Sequence, residues 1–103
     1  MAIIRSRPLA GPAPYPGELL RDEIEARGLS AHALSLALRL PASRISQILR
    51  GERAITPETA LRLARYFGGS AAIWLRLQMA YDLSRAEAEL GDRIASEVPP
   101  AAD

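Results

Sequence analysis

Cysteine and lysine are both missing from this chain of 103 residues, and histidine occurs once, as His32. Without cysteine, disulfide bonds and thiolate metal sites are excluded. A catalytic triad would need His32 beside a nucleophile and an acid, and no such set has supporting spacing. A glycine-rich phosphate loop is missing too, because Gly68-Gly69 is better explained as a helix end and turn. The sequence therefore predicts neither an enzyme nor a cofactor or metal site.

Long apolar runs are also missing. No run approaches the roughly 20 residues that a membrane-spanning helix needs. Arg5 and Arg7 are not followed by the apolar region of a secretory signal. We therefore expect a cytoplasmic protein without a membrane partner, and the length suffices for one small domain with a single modest core.

Charge is distributed unevenly, although the net charge is only +1 and all 13 basic residues are arginine. Residues 28–55 carry four arginines and one glutamate, whereas residues 81–103 carry six acidic residues and two arginines. This asymmetry predicts two surfaces for two different partners. The alternative is that the acidic end is only a solubilising tail.

The stretch from Ser30 to Gly51 has the pattern of two short helices joined by a tight turn. In the 20 residues from Ala31 to Arg50, aliphatic side chains occupy the fourth, eighth, tenth, fifteenth and eighteenth positions: Leu34, Leu38, Leu40, Ile45 and Ile48. Two helices that share one core at a steep angle require this spacing. The pattern predicts a helix-turn-helix, whose second helix has an outward face for a DNA major groove.

That outward face follows from helical geometry. At about 100° per residue, Ile45, Ile48 and Leu49 form one apolar stripe. The other side carries small, polar or forked side chains, namely Ala42, Ser43, Arg44, Ser46, Gln47 and Arg50. Gln pairs bidentately with adenine, Arg with guanine, and Ala fits against a thymine methyl group. The alternative is an ordinary solvated face of a helical bundle.

Capping signals predict where the helices begin and end. Starts are indicated by first-turn prolines or by Ser and Thr N-caps at Pro16, Ser30, Thr56-Pro57 and Ser70. The third helix is expected from about Ala42 to Arg50. A capping box of Ser84 and Glu87 predicts a sixth, acidic helix that ends before Pro99. The expected organisation is a flexible arm over 1–14, a domain over 15–83, the acidic helix over 84–98 and a tail over 99–103.

Two further residues stand out. Arg39 occupies the first turn position, which commonly has positive φ and favours glycine, at a cost of about 1 kcal/mol. Trp74, the only tryptophan, makes the fifth helix apolar on more than one side, which predicts a partner for its second face. We expect that partner to be a second copy of the chain, which contacts Ile73, Trp74, Leu77 and Tyr81. The alternative is that Trp74 fills the core of a single chain.

Six segments carry a further signal, with consistent order and spacing: Pro16–Leu20, Arg53–Ala64, Phe67-Gly68, Trp74-Leu75, Leu77-Gln78 and Tyr81–Leu83. With these segments the chain resembles the HigA-type antitoxins, within the wider Xre/Cro-like (lambda-repressor-like) helix-turn-helix class. The resemblance implies an all-α fold of five to six helices. It also implies a homodimeric antitoxin that neutralises a RelE-like (HigB-type) mRNA-cleaving toxin and represses its own operator.

By position, the resemblance implies that Ala42, Ser43 and Gln47 read bases in double-stranded operator DNA. Contacts with the DNA backbone are expected for Ala31, His32, Arg39, Arg44, Arg50 and Arg53. Four residues depart from the family pattern: Tyr15 replaces a histidine, Ser35 an alanine, Arg39 a glycine and Arg50 an asparagine.

Two other functions fit the same fold. One is a stand-alone transcriptional regulator without a toxin partner, which would lack an adjacent reading frame for a small basic protein. The other is a helical adaptor that has lost DNA binding, which would show no steep fall of DNA affinity with salt.

Overall fold

Five helices make up the computed structural model, which describes residues 13–102. They are α1 (Pro16–Ala26), α2 (Ala31–Leu38), α3 (Ala42–Leu49), α4 (Pro57–Phe67) and α5 (Ala71–Glu97). The predicted all-α fold is confirmed. Residues 1–12 of the predicted arm, including Arg5 and Arg7, lie outside the described residues. Within residues 13–102, no helix combines the length and the hydropathy that crossing a bilayer requires.

Side-chain caps begin three of the helices where the sequence predicts them. The hydroxyl of Ser30 accepts the N–H of Ala33 at 3.0 Å, and that of Ser70 accepts an N–H in the first turn of α5 at 3.0 Å. Thr56 Oγ1 accepts the N–H of Thr59 at 3.3 Å. Each bond satisfies one of the amide donors that the first turn of a helix leaves without a partner.

The predicted start of a sixth helix at Ser84 is wrong, because α5 continues through this residue as far as Glu97. No glycine or proline interrupts the chain between residues 71 and 90, so nothing ends the helix there. The hydroxyl of Ser84 has another partner, since it accepts the backbone N–H of Ala13 at 3.2 Å. The predicted helix end before Pro99 is confirmed.

The core contains all five aliphatic residues of the predicted helix-turn-helix pattern, and none of them is more than 8% exposed. Leu20 and Ile24 of α1, Ile55, Leu63 of α4 and Trp74 of α5 complete it. Every helix therefore contributes to one cluster, with α3 between α1 and α2. The sequence alternative in which Trp74 fills the core of its own chain agrees with its position, since only 8% of this residue is exposed.

Helices α1 and α3 touch at Gly17. A Cβ atom at this position would overlap the carbonyl oxygen of Ile48, so only glycine permits this approach. The close contact fixes the distance of α3 from α1 and sets the depth at which α3 lies in the domain.

Arg39 has the left-handed backbone that the sequence predicts, with φ 56° and ψ 44°. The N–H of Arg39 donates to the carbonyl oxygen of Leu36 at 3.3 Å, and the N–H of Leu40 donates to the carbonyl oxygen of Ser35 at 3.0 Å. These two bonds form a Schellman motif, which normally has glycine at the left-handed position. The turn keeps the geometry typical of the motif despite the arginine.

Ser35, another departure from the family pattern, is buried at 3% exposure. Its hydroxyl donates to the carbonyl oxygen of His32 at 2.6 Å. A buried hydroxyl with a partner costs far less than one without, so serine is tolerated inside α2.

We expect Trp74→Ala to lower the free energy of unfolding by about 3–5 kcal/mol, because it removes a large side chain from the core. Met79→Ala is the control on the same helix, because Met79 is 63% exposed and is not assigned to any partner. Urea denaturation followed by circular dichroism measures both. Equal losses for the two variants would contradict the placement of Trp74.

Arg39→Gly is expected to raise the free energy of unfolding by about 0.5–1 kcal/mol, because glycine adopts a left-handed backbone without the steric cost that arginine carries. The urea midpoint should rise while the dependence on urea concentration stays the same. A midpoint at or below that of the wild type would show that the arginine side chain stabilises the turn.

Candidate nucleic-acid interface

Helix α3 is divided into a buried and an exposed side, as its sequence predicts. Ile45, Ile48 and Leu49 are buried in the core. Ala42, Ser43 and Arg50 are exposed, and Arg44, Ser46 and Gln47 are half-buried. The three predicted base-reading residues, Ala42, Ser43 and Gln47, therefore lie outside the core, and their role in DNA recognition stays a prediction.

The carboxyl end of α3 is held by α1 and by Tyr15, the residue that precedes α1. The hydroxyl of Tyr15 donates to the carbonyl oxygen of Leu49 at 3.0 Å, and Arg21 Nη2 lies 3.5 Å from the same oxygen. The Tyr15 ring also packs edge-on against Tyr81 of α5, with 6.2 Å between ring centroids. Tyr15, which departs from the family pattern, thus fixes the end of α3 against two other helices.

Three arginines at this surface have partners within the chain. Arg44 Nη1 lies 3.7 Å from Glu58, Arg50 Nε lies 3.0 Å from Glu52, and Arg53 Nε donates to the side-chain oxygen of Gln47 at 2.8 Å. The first two are solvent-accessible ion pairs, so each contributes little to stability and is readily exchanged for another partner.

The Arg50–Glu52 pair has an electrostatic effect on both groups. The hydrogen bond from Arg50 holds the pKa of Glu52 below its usual value, and the same bond raises the pKa of Arg50. Glu52 is therefore ionised at neutral pH and offsets part of the positive charge at the end of α3.

The start of α2 leaves two backbone amide donors without a partner among the described residues. Ser30 caps the N–H of Ala33, and within residues 13–102 the N–H groups of Ala31 and His32 have no hydrogen-bond partner. Free amide donors and the positive end of the helix dipole favour a negatively charged group at this point.

Arg39 lies apart from the outward face of α3. It lines a groove of about 470 Å³ between α2 and α4, together with Leu61, Arg62, Arg65 and Tyr66. Arg62 crosses this groove, since it donates to the carbonyl oxygen of Leu38 at 3.0 Å and pairs with Glu58 at 3.2 Å. The structure thus groups Arg39 with the arginines of α4.

The residues predicted for dimerisation differ in exposure. Ile73 is exposed, Leu77 and Tyr81 are half-buried, and Trp74 is covered by its own chain. Tyr81 is further occupied by its contact with Tyr15. Ile73 is therefore the member of this set that is most available to a second chain.

Sequence reasoning did not assign a role to Gln78, which is buried and links two parts of the site. Its side-chain oxygen accepts the N–H of Ile55 at 2.8 Å, and its nitrogen donates to Asp82 at 2.9 Å. The loop between α3 and α4 is thereby attached to α5. The sequence offers one signal for a buried role of Gln78, because this glutamine lies on the same face of the helix as Trp74 and Tyr81.

Within residues 13–102, no group of three or more histidine and acidic side chains is arranged to hold a metal ion. The features that the surface offers are outward side chains of α3, arginines beside them and free amides at the start of α2. These features suit a nucleic acid, which offers phosphates to the amides and arginines and base edges to the side chains of α3, rather than a small-molecule substrate.

Comparison with known proteins gives the family. The family described as Helix-turn-helix matches residues 20–74. The chain is 58% identical over 77 residues to "Virulence-associated protein I" of Dichelobacter nodosus, which covers 74% of this chain and 71% of that protein.

Two solved structures share the fold, with similar sequence identities and TM-scores. An addiction module antidote protein of the HigA family from Coxiella burnetii is 41% identical, with a TM-score of 0.84 over 88% of this chain and 100% of that one. Pseudomonas aeruginosa antitoxin HigA, solved with the higBA promoter, is 40% identical, with a TM-score of 0.84 over 87% and 99%. The chain thus belongs to the helix-turn-helix family and, within it, to the HigA type.

Proposed function

We propose that this chain is an antitoxin that binds operator DNA as a dimeric autorepressor and neutralises a RelE-like mRNA-cleaving toxin. The observation that carries the proposal is the division of α3, with Ile45 and Ile48 in the core and Ser43 and Gln47 outside it. The likeness to the Pseudomonas aeruginosa antitoxin solved with the higBA promoter supports the DNA-binding part of the proposal.

In this proposal the start of α3 enters the major groove, where Ala42, Ser43 and Gln47 meet base edges. The free amides of Ala31 and His32 bind a phosphate at the start of α2. Four arginines supply the remaining backbone contacts, namely Arg39, Arg44, Arg50 and Arg53. Phosphate contacts position the protein, and base contacts select the sequence.

The active form is a homodimer. Two copies place two α3 helices about one turn of DNA apart, roughly 34–36 Å, which a single helix cannot match in affinity or in site length. We assign the dimer contact to the exposed side of α5 around Ile73, with Leu77 and Tyr81 beside it. Trp74 holds α5 against the core and so supports this surface from within.

The toxin part of the proposal is supported by the likeness to the Coxiella burnetii antidote protein. The test is co-expression with the product of the adjacent reading frame, scored by growth rescue, pull-down and binding to the upstream DNA. The wild type should rescue growth and bind that DNA. A Ser43→Ala, Gln47→Ala double variant should keep the rescue and lose selective DNA binding.

The two parts of the proposal fail separately in this test. DNA binding without rescue would favour the stand-alone regulator, whereas rescue without DNA binding would remove the repressor role. If both are missing, the helical adaptor becomes the better assignment.

Arg44→Ala should weaken binding to all DNA sequences alike, because the side chain is assigned to a phosphate rather than to a base. The log–log dependence of affinity on salt should flatten by about 0.9, the value for one phosphate contact. Arg93→Ala is the control, since Arg93 lies near the carboxyl end of α5, away from every residue assigned to DNA, and pairs there with Glu97. Fluorescence anisotropy at several salt concentrations measures both, and an effect confined to one base pair would contradict the assignment.

A further inference from the structure

A direct side-chain contact joins the middle of the outward face of α3 to the following loop. Arg53 Nε donates to Gln47 Oε1 at 2.8 Å, although the two residues are six positions apart. Gln47 is a predicted base reader, and Arg53 is predicted to contact the DNA backbone. The hydrogen bond therefore places a predicted base-reading side chain and a predicted backbone-contacting side chain next to each other.

The backbone explains why Arg53 returns to α3. Gly51 has φ 75°, and the N–H of Glu52 donates to the carbonyl oxygen of Gln47 at 2.8 Å, which closes the helix with a Schellman motif. Two residues beyond Arg53, Ile55 is buried and its N–H is bound by Gln78 of α5 at 2.8 Å. Arg53 is thus held between two anchored points of the loop.

The contact determines what Gln47 offers to a base. Its amide oxygen faces Arg53, so its Nε2 group, which has no partner within residues 13–102, is the end left free to donate. The Nη groups of Arg53 are donors as well, and arginine has no acceptor. The pair therefore presents donors side by side.

We propose that Arg53 takes part in base recognition, because it holds Gln47 so that the donors of the two side chains together select guanine. Guanine offers two acceptors, N7 and O6, on its major-groove edge, whereas adenine offers one acceptor and one donor. Bidentate pairing of glutamine with adenine needs its oxygen to accept from the base, and Arg53 already occupies one of the two lone pairs of that oxygen, which disfavours this pairing. This inference rests on the DNA-binding function proposed above and replaces the simpler phosphate role of Arg53.

The test is a binding-site selection from a random duplex library with the full chain. Arg53→Ala and Gln47→Ala should abolish the preference for guanine at the same base position, with a loss of discrimination of about fivefold or more. The Arg53→Ala, Gln47→Ala double variant should lose no more discrimination at that position than Gln47→Ala alone, because both changes remove one recognition unit.

Arg50→Ala is the matched control, since it also removes one positive charge at the end of α3 but is paired with Glu52. It should weaken binding to every sequence and keep the guanine preference. The proposal is overturned if Arg53→Ala behaves like Arg50→Ala, or if the position that depends on Gln47 prefers adenine. If the wild type enriches no sequence at all, the DNA-binding function itself fails, and this inference fails with it.

Discussion

The burial of one side of α3 is the constraint on which the rest of the structure depends. The helix has only eight residues, too few to be stable in water alone, so its contacts with the core hold it in place. Ile45 and Ile48 are almost completely buried, and Gly17 lets α1 approach their helix without steric overlap. The direction of the polar face is therefore set by its apolar neighbours. Ser43 and Gln47 face outward because the other side of their helix is fully engaged.

The parts of the fold that the sequence predicted depend on residues close together in the chain. Caps at Ser30, Thr56 and Ser70, and the left-handed turn at Arg39, are local features, since each involves residues within about one helical turn. The aliphatic spacing of the helix-turn-helix adds a pattern over 20 residues that few other folds require. Five helices, their starts and the buried face of α3 could therefore be derived before any coordinates were known.

The parts that could not be derived depend on contacts between distant residues. Ser84 has a good local signal for a helix start, but its hydroxyl binds Ala13, which is 71 positions away. The role of Gln78 requires Ile55 to lie beside it, and periodicity does not report that neighbour. The apolar pattern of the fifth helix also indicated that Trp74 would be covered, but it did not distinguish the core of the same chain from a second copy. The contact between Arg53 and Gln47 arises from the path of a loop, which local pattern describes least well.

The unbroken helix α5 has an electrostatic consequence for a chain that bears both a basic and an acidic region. Counted from Gln78, where the helix meets the loop of Arg53, the acidic residues between Glu87 and Glu97 lie about 13 to 28 Å further along, at about 1.5 Å per residue. The Debye length at physiological ionic strength is about 8 Å, so most of that negative potential is screened before it reaches the arginines near α3. The uninterrupted helix thus acts as a spacer, which separates the acidic residues beyond Asp82 from the arginines near α3 within one small fold.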